Sequence, residues 1–170
     1  ENFTISFWVK TSANGGHRCF MAKSIGGGPT SNYGWLLNNG NSTEVGFATA
    51  GSNYSSGGWA ATSGAYSVRT QNTNVTSNTW KNICVSVDKN NIDVDIYVNS
   101  SLATLTDYVG GKGKLNTVGS ISNTQIFKIG SESDNYWISA NISNALIYNR
   151  ALSEDEIKQN FNATRGRFGL

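Results

Sequence analysis

Side chains of alternating character dominate this chain and restrict it to β-structure. Phe3, Ile5, Phe7 and Val9 alternate with Thr4, Ser6, Trp8 and Lys10. Ile92, Val94, Ile96 and Val98 share one face, with Asp93, Asp95 and Tyr97 on the other. Ile83, Val85 and Val87 repeat the pattern within Trp80 to Val87. Successive strand side chains point to opposite faces, so each run predicts a strand with one buried face. Further strands are predicted over Arg18 to Ser24, Tyr33 to Leu37, Glu44 to Ala50, Leu102 to Tyr108, Gln125 to Gly130 and Trp137 to Asn149. Asn39-Gly40, Asn90-Asn91 and Asn99-Ser100 separate them, and such residues suit turns because they tolerate positive φ. Short strands punctuated in this way predict an all-β, two-sheet antiparallel sandwich.

One helix is predicted, over about 153–161. Ser153 stands as N-cap before Glu154, Asp155 and Glu156, and the Ser153–Glu156 spacing is that of a capping box. Ile157 and Phe161 are four apart and share a face that can pin the helix to a sheet.

The 170 residues are enough for a single domain, 1–170. Asn (22), Ser (21), Gly (19) and Thr (15) are abundant, a bias found in disordered chains, but 5 Trp, 7 Tyr and 7 Phe supply the apolar surface that disordered chains lack. A net charge of +2 without a basic block gives no footprint for nucleic acid. No apolar stretch approaches the roughly 20 residues of a membrane helix, so no membrane insertion is expected. The chain opens on Glu1 rather than Met and enters a strand almost at once, so it reads as the C-terminal part of a longer polypeptide. Cys19 and Cys84 both fall inside predicted strands and read as two free, half-buried thiols.

Several segments resemble a known family. The run Asn2 to Lys10 resembles the opening strand of laminin-G-like jelly rolls in the concanavalin A-like lectin/glucanase superfamily. Thr79-Trp80-Lys81-Asn82-Ile83 and Asp95-Ile96-Tyr97-Val98-Asn99 are similar to two further strands of that family. Ile147 to Ser153 matches its strand-to-helix junction almost letter for letter. The tail Asn160 to Gly169 resembles the ending of such domains in structural proteins of marine cyanobacterial tailed phages. The resemblance implies a jelly roll whose usual first strand lies upstream of Glu1 or is absent. It also implies a virion setting: a virion-surface location, contacts with other virion subunits, and an oligomeric state in the particle. Many relatives carry two acids just before the junction, and Ser143 and Asn144 stand there instead.

The superfamily's glucanases place three carboxylates along one strand face. The nearest match, Glu132-Ser133-Asp134, lacks the third, so one acid of the required pair is missing. His17, the only histidine, sits beside Gly15-Gly16 and has no local support for a triad. The chain therefore reads as non-catalytic, with glycoside hydrolysis a distant alternative. No cofactor is required. Ca²⁺, which favours oxygen ligands, is the metal such Asn-rich loops suit, with Asp93, Asp95, Glu132 and Asp134 as candidate ligands.

Glycan binding has the stronger chemical case. Sugars offer C–H faces to aromatic rings and hydroxyls to amide and guanidinium groups. The stretch Thr49 to Thr79 is rich in Gly, Ser and Asn, and interleaves Tyr54, Trp59 and Tyr66 with a possible donor in Arg69. Strands are expected there around Trp59 and over Ala65 to Arg69. Asn135, Tyr136 and Trp137 form a second candidate set. Adaptable polar groups among rigid rings are what recognition surfaces use. The leading reading is a lectin-like module binding a glycan or host cell surface. The alternative is a structural component that binds only other virion proteins.

Overall fold

The computed structural model describes residues 1–12, 16, 18–24, 34–40, 43–52, 64–109, 112–132 and 136–170. The strands are β1 (Phe3–Thr11), β2 (Cys19–Ser24), β3 (Gly34–Asn38), β4 (Gly46–Ala50), β5 (Ala65–Thr70), β6 (Lys81–Asp88), β7 (Asp93–Val98), β8 (Ser101–Leu102), β9 (Leu105–Val109), β10 (Lys128–Ile129) and β11 (Ala140–Tyr148). Helix α1 spans Glu154–Thr164 and runs into a 3-10 turn at Arg165–Phe168. One antiparallel sheet has the order β11-β1-β6-β7-β8, the other β10-β2-β3-β4-β5-β9. The described chain is thus a two-sheet jelly-roll sandwich with one C-terminal helix, as the alternation predicts.

Alternation places the core between the sheets. Phe3, Ile5, Phe7 and Val9 face inward beside Ile83, Val85 and Val87. Trp35, Leu37, Phe47 and Val68 of the second sheet meet them. Phe3 lies 6.1 Å from Trp35 and Phe7 5.7 Å from Phe20, ring to ring.

Several expectations change. The strand expected over Gln125 to Gly130 is only Lys128–Ile129, and the one expected over Trp137 to Asn149 is Ala140–Tyr148. The run Leu102 to Tyr108 is not one strand: β8 ends at Leu102 and β9 begins at Leu105 in the other sheet. Between them Ala103 donates to the Ile96 carbonyl, and the Thr104 carbonyl accepts from Gln71, so the chain crosses from sheet to sheet within two residues. Cys19 and Cys84 are fully rather than half buried, at 0% and 1% exposure. They are free thiols on opposite sheets, and burial pushes both thiols up, Cys84 to about 12. Trp8, on the polar face by alternation, is 1% exposed because α1 and the turn after it cover that face.

The strand-to-helix junction is held from beneath. Thr4 Oγ1 accepts from the Leu152 backbone N–H and donates to the Arg150 carbonyl, both at 2.9 Å. The capping box forms: Ser153 Oγ accepts from the Glu156 N–H, and the Glu156 carboxylate accepts from the Ser153 N–H. Arg150 clasps the same carboxylate with two bonds of 2.8 and 2.6 Å. The Arg150 bonds, then the Ser153 backbone, hold the Glu156 carboxyl at about 2. Ser153→Ala removes the cap oxygen and is expected to lower unfolding free energy by about 0.5–2 kcal/mol, read from the urea midpoint.

Candidate binding site

The chain from Gly130 to Ile138 runs beside the start of β2. Gly130 donates to the Phe20 carbonyl at 2.8 Å, Ile138 to Gly130 at 2.9 Å, and Cys19 to the Tyr136 carbonyl at 2.9 Å. These bonds fix the backbone on both sides of Trp137. Ile138 packs against the core, so alternation turns its neighbour outward. Trp137 is 65% exposed and Tyr136 43%. Tyr136 has φ +62°, a conformation that costs a bulky residue roughly 1–3 kcal/mol and persists only where the surroundings impose it. Here the Cys19 bond and the docked Ile138 impose it.

The start of β2, to which this backbone is tied, carries polar residues. Exposed Arg18 precedes Cys19, and its backbone exchanges bonds of 2.9 and 3.0 Å with Asn39. Cross-strand register runs Cys19, Asn38, Gly46, Arg69 over the outer face of the second sheet. A Cβ on Gly46 would stand 2.2 Å from Asn38 Oδ1, so only glycine fits beside that amide. Arg69, its side chain 38% exposed, meets Glu44 at 3.5 Å. It lies three strands from Cys19, about 14 Å at ordinary strand spacing.

Two of the other expected residues, Tyr66 and Glu132, are buried. Tyr66 of β5 is a core residue, 1% exposed, and offers no ring face to a sugar. Burial first, then Asp107, Asp93 and Asp95, push its phenol up. Tyr54, Trp59, Asp134 and Asn135 lie outside the described residues. Glu132 is 5% exposed and sits near the Cys19 thiol, which its charge helps to push up.

Asp93 and Asp95 do come together, on the outer face of β7, with Asp88 directly opposite Asp93. A cavity of ≈160 Å³ there is lined by Ser86, Asp88, Asn91, Asp93, Asp95, Ala151 and Leu152. The Asp88 carboxylate is engaged by its own turn: it accepts from the Asn2 amide, the Asn90 and Asn91 backbones and the Asn91 amide. The Asn91 side chain, chiefly, holds it below the usual carboxylate range. Asp93 Oδ1 accepts from the Val94 N–H at 3.0 Å. Among the described residues no three His, Cys, Asp or Glu side chains are grouped so as to hold a metal.

A larger cleft of ≈580 Å³, which sequence reasoning missed, is flanked by both sheets. Phe3, Trp35, Ile121 and Ile147 line it, with Lys23, whose ammonium donates to the Gln125 carbonyl at 2.8 Å. No signal in the sequence marks it, because its lining comes from segments distant in the chain.

Residues 1–158 match a laminin-G-type family model described as the concanavalin A-like lectin/glucanases superfamily. The chain belongs to this superfamily. A search of curated proteins finds no match. Among solved structures, this laminin-G-type chain is similar to the binding domain of Paraclostridial Mosquitocidal Protein 1. The identity is 17% and the TM-score 0.66, covering 95% of this chain and 37% of the other. It is similar also to the Botulinum neurotoxin serotype G binding domain, at 18% identity and TM-score 0.65, covering 96% and 36%. A third likeness is the binding domain of Botulinum neurotoxin DC in complex with rat synaptotagmin II, at 18% identity and TM-score 0.61, covering 96% and 36%. This chain spans little more than a third of the length of these neighbours, and at such identities the likeness establishes the fold alone. Among the described residues no helix is long and apolar enough to cross a membrane.

Proposed function

We propose that this domain is a non-catalytic, lectin-like binding module of a virion structural protein, displayed at the virion surface and recognising cell-surface or environmental glycans. The observation that carries the reading is the exposed pair Tyr136 and Trp137, whose backbone is tied to Cys19 next to exposed Arg18. Large rings left open to water cost free energy that a ligand's apolar face recovers. An indole on a fixed backbone loses little entropy when a sugar stacks on it. Superfamily membership supports a binding role, as do neighbours described as binding domains, one of them solved with rat synaptotagmin II. Stacking and hydrogen bonds require no metal. Burial of Glu132 supports the non-catalytic part, since a general acid must reach the scissile bond. The virion setting, a phage origin and an oligomeric state in the particle rest on the resemblance of residues 160–169 to tailed-phage proteins.

A second reading, a structural component that contacts only other virion proteins, is favoured by one observation. The edge strand β11 exposes Leu146 and Ile147, at 46% and 54%. A glycan array and whole-cell binding assay with the intact domain separate the two. Binding to at least one glycan that weakens on Trp137→Ala is expected. Blank arrays together with blank cells overturn the glycan reading.

A further inference from the structure

Four cations gather at one end of the first sheet. Val9 of β1 pairs with Lys81, the first residue of β6, and Lys10 follows Val9. The turn before β6 is tied to the same end, since the Asn78 N–H donates to the Thr11 carbonyl at 2.9 Å. The 3-10 turn after α1 brings Arg165 and Arg167 there. Its Phe168 ring stacks on Trp8 at 4.1 Å and meets half-buried Trp80 at 4.9 Å. Lys10 and Lys81 are half-buried, and Arg165 and Arg167 are exposed.

Among the described residues none of the four makes an ion pair, whereas Arg69, Arg150 and Lys158 each meet a carboxylate. The described stretches 8–12, 77–82, 137–143 and 164–170 hold no Asp or Glu. Acids of this sheet and its helix lie at the far end. Asp88 closes β6, roughly 23 Å from Lys81 at ordinary strand rise, and Glu154, Asp155 and Glu156 open α1. Cations left without a partner attract anions, and guanidinium forks match carboxylate and sulfate oxygens in pairs. Neutral groups suited to sugar hydroxyls stand among them: Ser77, Asn78 and Thr79 are exposed just before Trp80. Those amides and hydroxyls favour a hydroxyl-rich polymer over a DNA strand. Thr11 Oγ1 donates to the Ser139 carbonyl at 2.6 Å, two residues from Trp137, so the backbone that carries the exposed indole reaches this end too.

We propose that this end of the domain seats an acidic polysaccharide, whose carboxylate or sulfate groups are held by Lys10, Lys81, Arg165 and Arg167. The proposal rests on the glycan reading and names the class of glycan. Arg165 and Arg167 lie beyond residues 1–158, which the family model matches, so family membership alone does not supply this half of the seat.

Calorimetric titration of the intact 170-residue chain uses probes of matched length: a sulfated heparin-type oligosaccharide, an oligogalacturonate, a neutral malto-oligosaccharide and an oligothymidylate. At least one acidic sugar is expected to bind, the sulfated or the carboxylated arm identifying the group recognised, and added salt is expected to weaken it. The salt dependence is read on the wild type, independently of any variant's folding. The combined variant Lys10→Gln, Arg165→Gln, Arg167→Gln is expected to keep wild-type circular dichroism and to raise Kd roughly tenfold or more, as loss of charge-assisted hydrogen bonds does. An acidic sugar bound by that variant as tightly as by wild type overturns the proposal. So does a neutral sugar bound as tightly as the acidic ones, which leaves the glycan reading standing. Oligothymidylate bound as tightly overturns it too, marking an unselective anion surface. Acidic-sugar binding lost in the combined variant but kept in Trp137→Ala upholds the charged seat and overturns the reading at Trp137. No binding of any probe overturns the proposal, and the glycan reading then stands or falls on the array.

Discussion

Trp8→Ala is expected to lower unfolding free energy by about 3–5 kcal/mol, the range for truncating a buried aromatic. Trp8 is enclosed by the C-terminal segment. Its ring stacks on Phe161 at 5.7 Å and on Phe168 at 4.1 Å, with interplanar angles of 16° and 15°. Its Nε1–H donates to Thr164 Oγ1 at 3.2 Å. Each aromatic pair adds roughly 0.5–1.5 kcal/mol beyond burial. Phe161 and Ile157 are the buried residues of α1, so removing the indole deprives the helix of its main platform. The melting temperature should fall by roughly 6–20 °C, and α1 amides should lose exchange protection before those of β1 and β6. A shift below about 1 kcal/mol would show that the helix is held by the Thr4–Leu152 clasp and the capping box instead.

Gly34→Ala is expected to be the other severe change. Gly34 has φ +123°, a conformation side-chain-bearing residues rarely adopt. A Cβ there would stand 2.0 Å from the Lys23 carbonyl, 2.7 Å from the Asn123 amide and 2.9 Å from Ser24 Cα. Two of the three obstacles are backbone of the paired strand β2 and cannot rotate away. Strain of about 1–3 kcal/mol adds to overpacking of about 1–3 kcal/mol, and the Asn123 bond to the Lys23 carbonyl is displaced. Urea unfolding should show a lowered midpoint with an unchanged slope. An unaltered midpoint would mean that the β2–β3 pair opens without cost to the fold.

What was legible in the sequence was what depends on periodicity and local chemistry. The inward face of β1, the β6–β7 hairpin, the Asn99-Ser100 turn with φ of +51° and +62°, and the capping box each follow from residues close together in the chain. What was hidden depends on contacts between distant segments. Trp8 reads as solvent-facing until a helix some 150 residues later covers it. Tyr66 sits in a polar, glycine-rich stretch and reads as a ring open to a ligand, yet β5 is an inner strand between β4 and β9, and its register turns the ring inward. Asn144 reads as a lost family acid, whereas its conformation marks a bulge that no pattern of period two reveals. Of the site, Tyr136 and Trp137 stand in a polar segment, where two bulky rings invite attention, and the fold leaves both exposed. The burial of Glu132 was not legible, because it is not written in its neighbours.

Titration of the folded wild-type domain and of Trp137→Ala with a glycan bound on the array, by calorimetry, tests the account most directly. Trp137 is 65% exposed, so its loss should leave the denaturation midpoint within about 0.5 kcal/mol of wild type. Loss of a stacking ring should weaken binding by about 1–3 kcal/mol, by analogy with bases stacked on aromatic side chains, a roughly 5–150-fold rise in Kd. A folded Trp137→Ala domain that binds the same glycan as tightly as wild type would contradict the claim.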